Sequence, residues 1–372
     1  MATCLHHLRN SLACAVLLCM VSPFLSHAQE DSTYVEEEED YSIYDDLDFV
    51  DGNAKRYANA KIKGISPAKL ISLGYDYQMG HDLTAGAYGA FSEQTANVEA
   101  VHGMRIGANV PVISKNSLII QLGGNYWDMN YEFANAEALN HPLHRTLSSY
   151  NLRTFGLNST IYKPLNETSF LLFQVAVSMS GDYEIPEFQD LKYNRYSAAA
   201  LWGKRPNDNK QWAIGLSRTY RAGELNYIPI LLYNWTSIRN TWGAEVLFPA
   251  RAHMRYTLNP RNMLFVGYEL EGNSYRIGNR DLAFADTLTG AVDELEIRRS
   301  ELRFRFVYER KLIGFFWFSA QAGYRVNYSY NVDRVPDGTD FFRGFFGDQP
   351  FAMENSLTNP LYFNVSINLV SP

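Results

Sequence analysis

Cysteine is nearly missing from this 372-residue chain, and its three copies, Cys4, Cys14 and Cys19, all fall within the first 19 residues. Everything after them is built without disulfides, thiolate metal ligands or a cysteine nucleophile. No later stretch has the run of about 18 consecutive apolar residues that a membrane-spanning helix needs. The 3.6-residue period of an amphipathic helix is also scarce from Leu70 onward. Histidine is thin: after residue 28 only His81, His102, His141, His144 and His253 remain. These gaps leave a large sheet protein with little obvious catalytic equipment.

The first 28 residues set the compartment. Arg9 supplies positive charge, "SLACAVLLCMVSPFLS" is an apolar core, and "SHA" ends on a small residue at Ala28. Together they read as a secretory signal peptide at 1–28. The alternatives are a short buried helix and a lipoprotein signal. Leu18 is a poor residue before a lipidated Cys19, and the apolar run before Cys14 is too short. Eleven of the 40 acidic residues then lie between Glu30 and Asp51, with no Lys or Arg among them. The remaining 29 acids face 32 basic residues, so the formal charge of −7 belongs to this leader. Residues 29–66 are expected to be a solvated, disordered periplasmic leader. The alternatives are a weak Ca²⁺ site and an acidic arm that docks on a basic face. The carboxylates lack the fixed spacing with a turn glycine of a Ca²⁺ loop.

From residue 67 to the end, alternation dominates. "SELRFRFVYERK" (300–311) sets Leu302, Phe304, Phe306 and Tyr308 against Glu301, Arg303, Arg305 and Glu309. Period two means extended backbone, with successive side chains on opposite faces. "LISLGYDYQM", "VEAVHGMRIGANV", "SFLLFQVAVSMSG", "FFWFSAQAGYRVNYSYNV" and "PLYFNVSINLV" repeat the pattern. One face is a row of aliphatic and aromatic residues, with Tyr330 in that row; the other is rich in Gly, Ser, Asn and Gln with scattered charge. Such long strands suit tilted membrane crossings, and only closure satisfies every backbone group in lipid. The expected fold is an all-β, antiparallel up-and-down outer-membrane β-barrel with the apolar row toward lipid. A periplasmic sandwich or propeller is the alternative.

Short turns at 113–117, 163–168, 205–210, 237–240, 259–262 and 310–314 alternate with longer or irregular links at 80–96, 132–146, 184–193, 221–225, near Pro249, 278–292 and 333–357. That gives fourteen strands with both termini on the short-turn side. Twelve is the alternative, because residues 240–258 must hold two short strands and a turn at Pro249. Trp202, Trp212, Trp235, Trp242 and Trp317 flank short turns and are expected to form an aromatic girdle at the headgroup boundary. Trp127 is placed nearer the outer girdle.

"WGAEVLFPARAHMRYTLNPRNMLFVGYELEGNSYRI" (242–277) resembles a stretch of an uncharacterised family of Gram-negative outer-membrane β-barrel proteins, a domain of unknown function. The features that carry it are Trp242 after a polar turn, the pair around Pro249, the turn at Asn259–Asn262, and Gly272 through Arg276. "IPILLYNWTS" (228–237) fits as well. The resemblance implies a fold and a location, and brings no active site. Barrel proteins often end on an aromatic residue read by the assembly machinery; this chain ends Leu369-Val-Ser-Pro372.

No catalytic constellation emerges. A hydrolase would need a hydroxyl beside an imidazole, with a third group to orient the ring. His102 falls on the lipid-facing parity with no serine close in sequence. His253 lies between Arg251 and Arg255, which disfavours its protonated form. His141 and His144 share the loop "NHPLHR" and are expected to be solvent-exposed, with a paired metal site as the alternative. The charged residues on the interior parity carry more information. Asp76, Glu99, Glu269, Glu271, Glu301 and Glu309 face Arg105, Arg251, Arg255, Arg303, Arg305 and Arg325, and a nearly neutral set of this kind suggests ion pairs across the lumen rather than a one-sign selectivity ring. The alternative is a set of solvated wall residues in a wide pore.

The expected role is passive or gated passage of a small or amphipathic molecule, or a structural envelope role. A surface binder acting through its outer loops, "DGTDFFRGFFGDQPF" (337–351) among them, is the alternative, and an enzyme is third. No cofactor or metal is expected. Expected partners are outer-membrane lipids, the barrel-assembly machinery and an unidentified small-molecule cargo, not nucleic acid.

Overall fold

The computed structural model describes Ala58 and residues 61–184, 193–220, 226–277, 295–334 and 351–371. The expected signal peptide, the acidic run Glu30–Asp51 and all of the segment 337–351 except Phe351 lie outside them.

The alternating segments form one antiparallel sheet that closes on itself. β1 (Lys69–Gln78) breaks at Met79 and Gly80 and resumes as β2 (His81–Ala85); both pair with β3 (Gln94–Lys115). The wall continues through β4 (Leu118–Phe133), β5 (Leu152–Pro164), β6 (Ser169–Gly181), β7 (Asn194–Asn207), β8 (Lys210–Thr219) and β9 (Asn226–Thr236). Then come β10 (Trp242–Phe248), β11 (Arg251–Asn259), β12 (Asn262–Ile277), β13 (Leu295–Ile313) and β14 (Phe316–Arg334). The last strand is also broken, as β15 (Ser356–Leu357) and β16 (Leu361–Val370). β16 pairs with β14 on one side and β1 on the other, and β15 pairs with β2. Counting each broken pair once, the barrel has fourteen strands, the larger of the two expected numbers. Lys69 lies opposite Val370, so the first and last strands begin and end together at the short-turn end. The expected link at 80–96 is shorter than the sequence suggests, because β2 carries the first strand on to Ala85.

The apolar row faces outward. Phe304 and Phe306 are 48 and 46% exposed, while Glu301 and Arg303 on the opposite parity are 0 and 2% exposed. Two bulges reverse this parity locally. The β13–β14 register slips so that Ser300 faces Ser329 and Glu301 faces Asn327. The extra residue turns Tyr330 inward, where it is fully buried, against its expected lipid side.

The strands differ greatly in length. β13 and β14 run 19 residues each, whereas β10 has seven and β11 nine, joined by a tight turn with a cis Phe248–Pro249 bond. The low β10–β11 hairpin lets the long ends of β6 and β12 lean together over the five strands between them. Asp182 N–H donates to the Arg276 carbonyl at 3.1 Å, and Asn273 Nδ2 donates to Ser180 Oγ at 2.6 Å. A Cβ on Gly181 would run into the Arg276 carbonyl, so this approach requires glycine. Within the long-link end the interior is apolar rather than polar. Leu83, Val98, Met129, Ile277, Leu295 and Val332 are buried there. The link after β4, expected as an open loop, folds as α1 (Pro142–Tyr150), whose Leu143 and Leu147 join the same core.

At the other end, part of the expected disordered leader is attached to the barrel. Ala58 N–H donates to the Asn166 carbonyl (2.9 Å), Lys63 N–H to the Asp208 carbonyl (2.7 Å), and Ser371 N–H to the Ala68 carbonyl (2.8 Å). Ser66 donates to Glu245 twice, from N at 3.1 Å and Oγ at 2.7 Å. Ala58 and residues 61–68 thus strap the short-turn mouth from the β5–β6 turn to β1.

The face assignment has a direct test. Phe304→Arg puts a charge on the outward apolar band and should cost roughly 2–4 kcal/mol. Ser72→Arg points into the lumen cavity and should cost much less. Urea unfolding from lipid vesicles compares the two, and the opposite order would invert the faces.

Candidate functional site

β13 carries the centre of the lumen. Its inward parity places Arg299, Glu301, Arg303, Arg305 and Glu309 in one column, and Arg303 lies directly opposite Arg325 on β14. Glu301 is shared: Arg303 Nε is 2.6 Å and Arg299 Nη2 3.0 Å from Oε1, and Arg325 Nε is 3.6 Å from Oε2. Arg325 also donates to Gln78 on β1. From β3, Arg105 Nε lies 2.8 Å from Asp76, and its Nη1 reaches Glu271 of β12 at 3.3 Å. Four strands separate β3 from β12 around the ring, so this contact spans the lumen. Arg303 Nη1 is 3.8 Å from the same Glu271.

An indole sits in the middle of these cations. The guanidinium carbons of Arg105, Arg299 and Arg303 lie 4.2, 4.9 and 5.3 Å from the Trp127 ring centre. The negative face of the ring partly offsets the crowded charge, most strongly where water is excluded. Trp127 is 7% exposed and faces inward, so it belongs to the lumen and not to an outer girdle.

Nearer the short-turn end, Arg305 pairs with Glu269 and donates from Nε to His253 Nε2 at 3.0 Å. Arg255 is fully buried, held by Glu245 at 2.5 Å and Thr236 Oγ1 at 2.8 Å. It lies over Gly243, where a Cβ would strike the guanidinium. Glu309 meets Lys69 Nζ at 2.7 Å. Arg251 is exposed, lines the lumen and lies opposite Glu269 in register.

Glu99 is the member of the interior set that the structure turns outward. A bulge between Val98 and Ala100 buries both of those residues and leaves Glu99 exposed. Trp317 is corrected in the other sense. Trp202 and Trp242 are exposed on the outer wall, while Trp317 is 5% exposed and packs inside with Met263, Phe265, Val307 and Val370. Its parity matches Ser319, a signal that turn proximity overrode. Trp212 packs edge-on against Trp202 at 5.7 Å, and both Trp212 and Trp235 are half-buried. Arg299, Glu245 and Trp127 were missed; Arg299 simply continues the β13 alternation.

The histidines also differ from expectation. His141 and His144 are 1 and 0% exposed, with ring centres 5.5 Å apart. His141 Nε2 lies 2.9 Å from the Gly86 carbonyl, and Leu143 N–H donates to its Nδ1, capping α1. On the outward face, Tyr75 Oη is 2.8 Å from His102 Nδ1, and His102 Nε2 is 2.9 Å from Glu132. This hydroxyl–imidazole–carboxylate chain draws one residue each from β1, β3 and β4, so no local motif could announce it.

Two cavities occupy the space between the charges and the strap. One of about 560 Å³ lies at the low β10–β11 turn, lined by polar Asn125, Asn158, Gln174 and Ser217 and by Phe248 and Pro249 of the wall. The second, about 550 Å³, ends on Ile65, Ser66 and Pro67 of the strap. Asn109 and Arg251 line both.

No family model and no curated protein matches the chain. Solved structures that overlap it include an outer-membrane channel from Pseudomonas putida F1, 13% identical, covering 82% of this chain and 96% of that one with a TM-score of 0.33. The Pseudomonas putida toluene transporter TodX is 9% identical, with coverages of 85% and 95% and a TM-score of 0.29. The Escherichia coli outer-membrane protease OmpT is also 9% identical, with coverages of 82% and 97% and a TM-score of 0.28. Overlap this slight carries neither substrate nor activity across.

The buried charges and histidines lead to two expected outcomes. Glu301→Gln leaves three buried guanidiniums without their shared carboxylate and should cost about 3–5 kcal/mol. Glu309→Gln, beside a more exposed Lys69, should cost far less in the same unfolding assay. Burial pushes His144 down to about 4 and His141 below its ordinary value. A depressed histidine stabilises fully above its unfolded value near 6.5 and loses that stability as pH falls toward 4. Amide exchange over Leu143–Leu147 should therefore quicken between pH 6.5 and 4, and His144→Phe should flatten that response.

Proposed function

We propose that this chain is an outer-membrane channel whose cargo enters the lumen from the side, over the β10–β11 hairpin. The observation that carries the reading is the cavity at that hairpin. It joins polar lumen residues to the lipid-side Phe248 at a height where neighbouring strands continue and these two stop. The apolar core at the long-link end obstructs straight axial entry. A molecule meeting the wall from the outer leaflet finds an apolar edge first and amide and hydroxyl groups next. That order suits a small amphipathic cargo, and about 560 Å³ is within the usual range of small-molecule sites.

In this reading the outward apolar band meets outer-membrane lipid, Trp202, Trp212, Trp235 and Trp242 anchor the periplasmic boundary, and the barrel-assembly machinery inserts the chain. The short turns and the strap face the periplasm. Cargo leaving the second cavity must pass residues 61–68, so Ser66 and Glu245 hold the exit. The protein performs no covalent chemistry; Arg303, Arg305 and their carboxylates shape the wall past which cargo moves.

Proteoliposomes loaded by diffusion with a small amphipathic fluorophore test the route. Ser197→Trp with Ser217→Trp fills the first cavity and should bring uptake close to that of empty vesicles. Tyr196→Trp, on the outer face, should leave uptake unchanged. Glu245→Ala, which frees the strap, should raise it. Undiminished uptake in the filled variant would overturn the side route.

A further inference from the structure

We propose that the lumen binds an exchangeable small monovalent anion between Arg299, Arg303 and Arg325. The inference goes beyond the channel reading and does not depend on it. Around Trp127 and Glu301 the described residues gather four guanidiniums, Arg105, Arg299, Arg303 and Arg325, against three carboxylates, Asp76, Glu271 and Glu301. Arg105 has Asp76 and Glu271 close by, and Arg303 and Arg299 divide Glu301 Oε1. Among the described residues the carboxylate beside Arg325 is that of Glu301, which Arg299 and Arg303 share through its other oxygen. Arg325 stands 3.6 Å from Glu301 and donates to the neutral amide of Gln78. Arg305 does not alter the balance, because Glu269 matches it.

The burial makes that surplus costly. Arg299, Arg303 and Arg325 are 1, 2 and 2% exposed, so water does not screen them. Arginine does not shed its proton at any ordinary pH, so it cannot escape the cost by becoming neutral. Each of the three also keeps a buried nitrogen with no acceptor among the described residues: Nη1 of Arg299, Nη2 of Arg303 and Nη2 of Arg325. Buried donors of this kind are normally paired. The Trp127 face attracts the cations but brings no net charge. A single negative charge accepting from these guanidinium nitrogens satisfies both requirements.

The test uses the full mature chain in neutral detergent at fixed ionic strength. Chloride replaces gluconate in one series and formate replaces it in another, and the thermal midpoint is followed. A ligand held only by the folded state raises the midpoint linearly with the logarithm of its concentration above the dissociation constant. That slope is expected for the wild type, and the series in which the rise begins at the lower concentration identifies halide or carboxylate as the better occupant. Arg325→Gln removes the surplus charge and should abolish the slope, whereas Arg325→Lys should retain it. Bromide-soaked crystals of the wild type should show an anomalous peak beside Arg325 Nη2. A flat midpoint in both series, an unchanged slope in Arg325→Gln, or no bromide peak at the cluster would each overturn the site.

Discussion

Every amide in the wall needs a partner that lipid cannot supply, and β1 meets that demand by pairing with β3 on one side and β16 on the other. Closure lets the outer face be apolar without restraint, and it confines polar side chains to the interior. It also fixes which residues meet inside. Arg105 reaches Glu271 only because four strands curve between them. The wall then closes a second time. Where β10 and β11 stop, β6 and β12 meet through Asn273, Ser180, Asp182 and the Arg276 carbonyl. The interior is therefore polar and hollow below that seam, and apolar and packed beside it.

The two interiors answer to different physics. At the long-link end, Leu143 and Leu147 of α1 pack among strand residues much as they would in a soluble core. Lower down, charge is retained where its burial is strongly unfavourable, and each guanidinium is held by carboxylates, amides or an indole face. Such pairs seldom add net stability over an apolar core, but deleting one partner is severe. Their arrangement keeps the middle of the barrel from collapsing into hydrophobic contacts and leaves the adjoining cavities lined by amides and hydroxyls.

Much of this was legible from alternation alone. The strand count, the short turns and the inward column Glu301, Arg303, Arg305 and Glu309 come from period two and turn spacing. The failures have specific causes. A bulge inserts one residue and reverses the parity beyond it, which turned Glu99 out and Tyr330 in. Trp317 was assigned by its nearness to a turn although its parity pointed inward. The seam was invisible because it joins Gly181 to Arg276, residues on strands that are not neighbours in the sheet. The Gly272–Arg276 stretch had stood out only as a resemblance; in the fold, Asn273 and Arg276 make that seam. Contacts across a lumen depend on curvature and relative strand height, which a single strand's pattern does not encode.

The strap orders events in time as well as space. Ala58, Lys63 and Ser66 bind Asn166, Asp208 and Glu245, residues synthesised more than a hundred positions later. A segment made before every strand can therefore seat only after β5 through β10 stand in register. Contacts this distant in sequence form late, because their loop-closure entropy must be met first. Seating of the strap is in effect a completion mark for the barrel, written by the first part of it to be made.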